Sequence, residues 1–119
     1  MDFKHTNYQI EDEYPKLVRD KIPEIIKEKG GIDIQQKTLA NDAEFLGYLL
    51  QKMIEESVEL KNSDVNNNLE EELADIFEII DSILDLRGKT EENIRTIQKE
   101  KREKRGGFEK RILMLNKAK

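Results

Sequence analysis

The stretch Asn41-Asp-Ala-Glu-Phe-Leu-Gly-Tyr-Leu-Leu-Gln-Lys-Met-Ile-Glu-Glu-Ser-Val58 places apolar residues at Phe45, Leu46, Leu49, Leu50, Met53, Ile54 and Val58. This three-and-four spacing lines one face of an α-helix. Asn41 stands where an N-cap belongs, and Glu44 three residues on completes a capping box. The stripe resumes at Leu69, Leu73, Ile76, Phe77, Ile80, Ile83 and Leu84 and should stop near Gly88. Between them lies Asn62-Ser-Asp-Val-Asn-Asn-Asn68, a run of turn formers that breaks the periodicity. Two amphipathic helices joined by so short a link pack as antiparallel neighbours. The expectation is an all-α fold built on a helical hairpin.

Outward from the hairpin, Asp20 to Lys29 reads as a short first helix, with Pro23 tolerated near its start and Gly30-Gly31 ending it. Ile32 to Leu39 alternates apolar and polar residues weakly and reads as extended. Thr90 should cap a fourth helix that opens with Glu91 and Glu92 and closes with Lys99, Lys101, Arg102, Lys104 and Arg105. Its charges follow the helix dipole, and Gly106-Gly107 ends it. Ile112-Leu-Met-Leu115 suits a packed extended piece or a short buried helix, the extended form being preferred. Residues 1–13 are polar and aperiodic, an arm with a place on a partner subunit, which leaves one domain over residues 14–119.

A chain of 119 residues buries only about two thirds of its unfolded surface. Charged residues make up 39% against 36% hydrophobic, which suits amphipathic helices with wide polar faces and favours oligomerisation. The net charge of -5 argues against a general nucleic-acid binder. No cysteine is present, so disulfides, thiolate catalysis and zinc–thiolate sites are excluded. The first residues lack the apolar run of a signal peptide, and no stretch approaches the roughly 20 apolar residues of a membrane span. A soluble, cytoplasmic protein is the expectation. His5, the single histidine, falls in the arm and reads as solvated.

Two carboxylate motifs carry chemistry. Glu55-Glu-Ser-Val-Glu59 sits on the second helix and Glu72-Leu-Ala-Asp75 on the third. Residues three apart share a helical face, so Glu56 with Glu59 and Glu72 with Asp75 can converge across the hairpin. Charges gathered in this way repel unless a cation sits among them, and oxygen donors alone point to Mg²⁺, with Mn²⁺ as a substitute. A run of glutamates on one charged helix is ordinarily a solvated face. The second motif, bordering the stripe of Leu73, Ile76, Phe77 and Ile80, weighs against that reading because unpaired charge at an apolar seam is expensive. Glu78, Asp81 and Asp85 fall outside the site, Glu78 being the one placed to support the ligands from behind.

The paired motif resembles the signature of the MazG-like all-α nucleoside triphosphate pyrophosphohydrolases, a superfamily that includes phosphoribosyl-ATP pyrophosphohydrolases and dimeric dUTPases. Lys16-Leu-Val-Arg-Asp-Lys-Ile-Pro-Glu-Ile-Ile26, Glu71-Glu-Leu-Ala-Asp-Ile-Phe-Glu-Ile-Ile80 and Arg105-Gly-Gly-Phe108 are similar to one MazG-like branch. The resemblance implies that Glu56, Glu59, Glu72 and Asp75 hold Mg²⁺. It further implies that Glu55 is an extra ligand or orients the attacking water, and that catalysis centres on Glu55 and Glu56. A nucleotide would be split to monophosphate and pyrophosphate, as in removal of non-canonical nucleotides, by a homodimer or dimer of dimers whose paired hairpins form a four-helix core. Phosphoribosyl-ATP hydrolysis in histidine synthesis is the alternative enzyme, and a non-catalytic acidic adaptor the alternative class. For the substrate phosphates the family pattern points to Lys101 and Arg105, with Lys16, Arg19 and Lys21 as further candidates. Lys101 and Arg105 are equally explained by the helix dipole. Asp20 reads as a helix cap or a partner of Arg19, and Gly106-Gly107 more simply as a helix stop. Phe45, Tyr48 and Phe77 lie near the pocket-forming helices, where aromatic residues are more often core than stacking platforms.

Overall fold

The computed structural model describes residues 14–64 and 68–118. Four helices follow one another, α1 (Ile22–Gly30), α2 (Asp42–Lys61), α3 (Leu69–Leu86) and α4 (Glu91–Arg105), and no strand occurs among the described residues. The arm of residues 1–13, with His5, lies outside them.

α2 starts where Asn41 holds extended dihedrals and its side-chain oxygen accepts the Glu44 N–H at 3.0 Å. The Glu44 carboxylate turns to Lys37 Nζ, 3.9 Å away. α4 is capped more completely: Thr90 Oγ1 accepts the Asn93 N–H and the Asn93 side chain accepts the Thr90 N–H, at 3.2 and 2.9 Å. Two orphan donors are thereby satisfied. Its end falls at Gly106, whose φ of 80° would strain any residue with a Cβ.

Three expectations need correction. The first helix begins at Ile22 rather than Asp20, because Ile22 N–H closes a turn on the Arg19 carbonyl at 3.0 Å and the cap position falls to Lys21, without a side-chain bond. Asp20 therefore does not cap α1. Nor does it hold Arg19, which reaches Asp75 instead. Ile112 to Leu115 is non-helical, as preferred, but it is not packed: its four side chains are 74–86% exposed. Among the described residues no other element covers them.

α2 and α3 form the closely packed pair of helices, the expected hairpin. Leu49 and Ile79, at 3% and 6% exposure, are the only buried apolar side chains among the described residues. A second apolar stripe on the same hairpin, Leu50 and Ile54 on α2 with Leu73 and Phe77 on α3, remains exposed. No α4 residue is buried, so that helix rests on its caps, its Glu91–Arg95 pair at 3.2 Å and dipole-matched charges. No helix among the described residues is long and apolar enough to cross a membrane.

The hairpin's stability should hang on its one tight seam. Leu49→Ala is expected to lower unfolding free energy by about 2–5 kcal/mol in urea denaturation, the range for truncating a buried leucine. A loss near zero would mean that the seam does not hold the hairpin together.

Candidate metal centre

Helical spacing determines which carboxylates meet. Lys52, Glu56 and Glu59 follow one another at four and three residues along α2, while Glu72 and Asp75 project from the first turns of α3. Because the hairpin is short-linked, the C-terminal half of α2 faces the N-terminal turns of α3. Carboxylate oxygens of Glu56, Glu59 and Glu72 come within 4.8 Å of one another. Glu56 is only 7% exposed, Glu72 is half-buried, and Glu59 opens to solvent.

Asp75 lies at the edge of this group. Its Oδ1 accepts from Arg19 Nη2 at 2.7 Å, tying the segment before α1 to the start of α3. Of the basic residues singled out from sequence, Arg19 alone pairs with one of the site carboxylates. Lys16 Nζ stands 5.0 Å from the centre of the Tyr14 ring, and Lys21 is exposed at the head of α1. Lys101 and Arg105 lie on α4, which has no buried residue and does not pack closely on α2 or α3, the helices that carry the carboxylates.

Glu55 is the most buried polar residue among the described residues, at 3% exposure, but it is not among the converging carboxylates. Facing another side of α2, it borders a groove shared with Tyr14, Gly47, Tyr48 and Gln51. Lys52 links the two sides, its Nζ lying 3.3 Å from Glu55 Oε2 and 3.8 Å from Glu56 Oε1. Sequence reasoning missed Lys52. The signal was present, since a lysine three and four residues before two glutamates has ion-pair spacing on a helix.

The electrostatics record the crowding. Burial, then hydrogen bonding to Glu72 and Glu59, then the negative charges of Glu59 and Asp75 raise Glu56 from the ordinary 4.5 to about 8. Glu72 is also raised, first by burial and further by Glu59 and Asp75, while the hydrogen bond from Glu56 acts in the opposite sense. Glu56 therefore holds the proton and Glu72 accepts it. With all carboxylates ionised, Glu56 Oε2 and Glu72 Oε2 are buried without a hydrogen-bond partner. A proton, a cation or a hydrogen-bond donor would satisfy such oxygens. An all-oxygen set with one exposed member, Glu59, fits a hard divalent ion that keeps waters and takes further oxygen ligands. The three carboxylates could thus hold a metal ion.

Comparison of the chain with models of protein families, with curated proteins and with solved structures finds no match.

The proton on Glu56 gives a pH test. A carboxyl raised from 4.5 to about 8 on folding binds its proton more tightly in the native state, so the metal-free protein should lose stability as pH climbs through that window. Thermal melts without metal should fall by several degrees between the two ends. Mg²⁺ or Mn²⁺, displacing the proton, should stabilise the protein more at the upper end and release protons on binding. Melting curves that rise with pH would contradict the shared proton.

Proposed function

We propose that this chain is a divalent-metal-dependent nucleotide pyrophosphohydrolase that converts a nucleoside triphosphate to its monophosphate and pyrophosphate. The observation that carries the reading is the meeting of Glu56, Glu59 and Glu72 in one small volume, with buried oxygens that lack partners and an arginine at the edge. The resemblance of the paired carboxylate motif and the Lys16–Ile26 segment to the MazG-like enzymes supplies the reaction. Glu56, Glu59 and Glu72 hold Mg²⁺, with Asp75 joining them when Arg19 leaves it. When bound, the ion neutralises charge on the phosphoryl oxygens and makes a water acidic enough to attack at neutral pH.

The chain's own residues do the rest. The half-exposed Arg19 guanidinium offers a planar fork to the substrate phosphates, a better partner than one carboxylate oxygen. Lys16 and Lys21, on the same segment, add charge nearby. Water adds to the α-phosphorus and gives up its proton to bulk solvent as the bond to the bridging oxygen breaks and pyrophosphate departs with the electron pair, so no covalent enzyme intermediate is needed. Non-canonical nucleotides are the substrates suggested by the resemblance.

The exposed apolar surfaces take a second copy of the chain. A hairpin with one stripe buried and another, Leu50, Ile54, Leu73 and Phe77, open to water is half of a four-helix core. Ile94, Ile97 and the Ile112–Leu115 run are exposed as well. In such a dimer, the phosphate-binding candidates Lys101 and Arg105 would reach the carboxylates of the other subunit.

Purified protein is incubated with canonical and modified nucleoside triphosphates and phosphoribosyl-ATP, with and without Mg²⁺, and pyrophosphate release is measured. Metal-dependent release should be abolished by Glu56→Gln and reduced at least about a hundredfold by Glu72→Ala, the scale of losing a metal ligand or its support. Full turnover in Glu72→Ala would sink the site. Folded protein that turns over nothing yet binds a basic partner without Mg²⁺ would favour the acidic adaptor. Light scattering gives a separate check: the wild type should be dimeric or larger, and Leu113→Asp with Leu115→Asp should shift it towards monomer.

A further inference from the structure

Of the four carboxylates in the paired motifs, Asp75 is the one that stands aside. It follows Glu72 by three residues on α3, a spacing that puts both side chains on one face of the helix. Glu72 meets Glu56 and Glu59, yet Asp75 is not part of the group whose oxygens lie within 4.8 Å of one another. Its Oδ1 accepts instead from Arg19 Nη2 at 2.7 Å, across 56 positions of chain. The negative charge of Asp75 is nevertheless felt at Glu56, so this carboxylate stands at the rim of the centre rather than apart from it.

The bond that holds it there is suited to exchange. The Arg19 and Asp75 side chains are 56% and 39% exposed, and pairs this open to water contribute little to stability. One nitrogen of the guanidinium meets one carboxylate oxygen, which leaves its paired-donor geometry unused. The backbone beneath it is anchored: Leu17 and Val18 are half-buried, and the Ile22 N–H closes on the Arg19 carbonyl at 3.0 Å. A change of partner therefore needs only a rotation of the arginine side chain.

Electrostatics favour the same exchange. Three carboxylates hold a divalent ion less tightly than four, while a centre of four repels an incoming phosphate more strongly. A guanidinium that passes from Asp75 to the phosphate answers both demands, releasing one negative group to the metal and covering another.

We propose that Arg19 is a latch on Asp75: it withholds the fourth carboxylate from the metal until a phosphate group takes the guanidinium, so that metal and phosphate each strengthen the binding of the other. The inference rests on the pyrophosphohydrolase reading for the source of that phosphate, and it adds to that reading a coupling between the two ligands, equal in both directions by linkage. Arg19 acts on the metal through Asp75 and is a positioning residue for it.

Mn²⁺ alone tests the latch without any turnover. Free Mn²⁺ is counted by electron paramagnetic resonance in titrations of the full chain, as wild type, Arg19→Gln, Asp75→Asn and the double variant. Arg19→Gln should tighten Mn²⁺ binding about two- to fivefold, the scale of releasing a half-exposed ion pair. In the Asp75→Asn background the same change should have no effect. Inorganic phosphate should tighten Mn²⁺ binding in the wild type and lose that effect in Arg19→Gln. Unchanged or weaker binding in Arg19→Gln would overturn the proposal, as would equal tightening in both backgrounds, which is the mark of simple charge repulsion. Phosphate that helps wild type and Arg19→Gln alike would overturn it too, because metal and phosphate would then meet without the arginine. No Mn²⁺ binding by any of the four proteins would remove the latch together with the metal centre. The expected pattern in a chain that hydrolyses no triphosphate would keep the latch and refute the hydrolase reading, and hydrolysis with Mn²⁺ binding indifferent to Arg19 would do the reverse.

Discussion

Glu56 sits where a carboxylate is hard to keep. It is buried at the seam of two helices, faces Glu72 from the other helix, and has Glu59 and Asp75 nearby. Apolar burial is what holds a helical hairpin together, yet the seam near its loop is given over to acidic groups whose mutual repulsion opposes packing. Such an arrangement survives only with a positive charge or a shared proton. Arg19 on Asp75 and Lys52 beside Glu55 and Glu56 provide part of the first, and the raised Glu56 the second. The remaining oxygens, on Glu56 and Glu72, are those a cation would take.

That choice restricts what is left to stabilise the fold. With Leu49 and Ile79 the only buried apolar side chains among the described residues, and neither fully so, the hairpin has little core of its own. The apolar side chains exist, but they point outward: Leu50 and Ile54 on α2, Leu73 and Phe77 on α3, Ile94 and Ile97 on α4. Apolar residues at helical spacing on two faces of one helix mean two packing partners. A single chain supplies one. A site built of repelling charges and an uncovered apolar face are in this sense one problem, because the apolar contact that the seam gives up is not made elsewhere among the described residues.

Local chemistry was legible in the sequence. Asn41 and Thr90 announced their helices because a cap is a bond between residues three apart, and Gly106 marked an end because its backbone requires it. The convergence of Glu56, Glu59 and Glu72 was legible for the same reason, as helical periodicity and a short link suffice to fix it. Arg19 on Asp75 was not, since nothing in either neighbourhood encodes a contact across 56 positions. The start of α1 was misjudged by two residues because a turn closed by the Arg19 carbonyl competes with capping by Asp20. The Ile112–Leu115 run was read as packed because four apolar residues in a row imply a cover, and the sequence does not say which chain provides it.

The doublet Glu55-Glu56 shows how one helix serves two environments. Successive residues on an α-helix are about 100° apart, so consecutive glutamates cannot face the same way. Glu56 turns to the seam with α3, and Glu55 to the groove with Tyr48 and Tyr14. Lys52, one turn earlier and between the two directions, contacts both at 3.3 and 3.8 Å. A change at either carboxylate is therefore felt at the other through the lysine: a cation that draws Glu56 away leaves Lys52 with Glu55 alone. Metal in the seam would therefore reorganise the ammonium group that also serves Glu55.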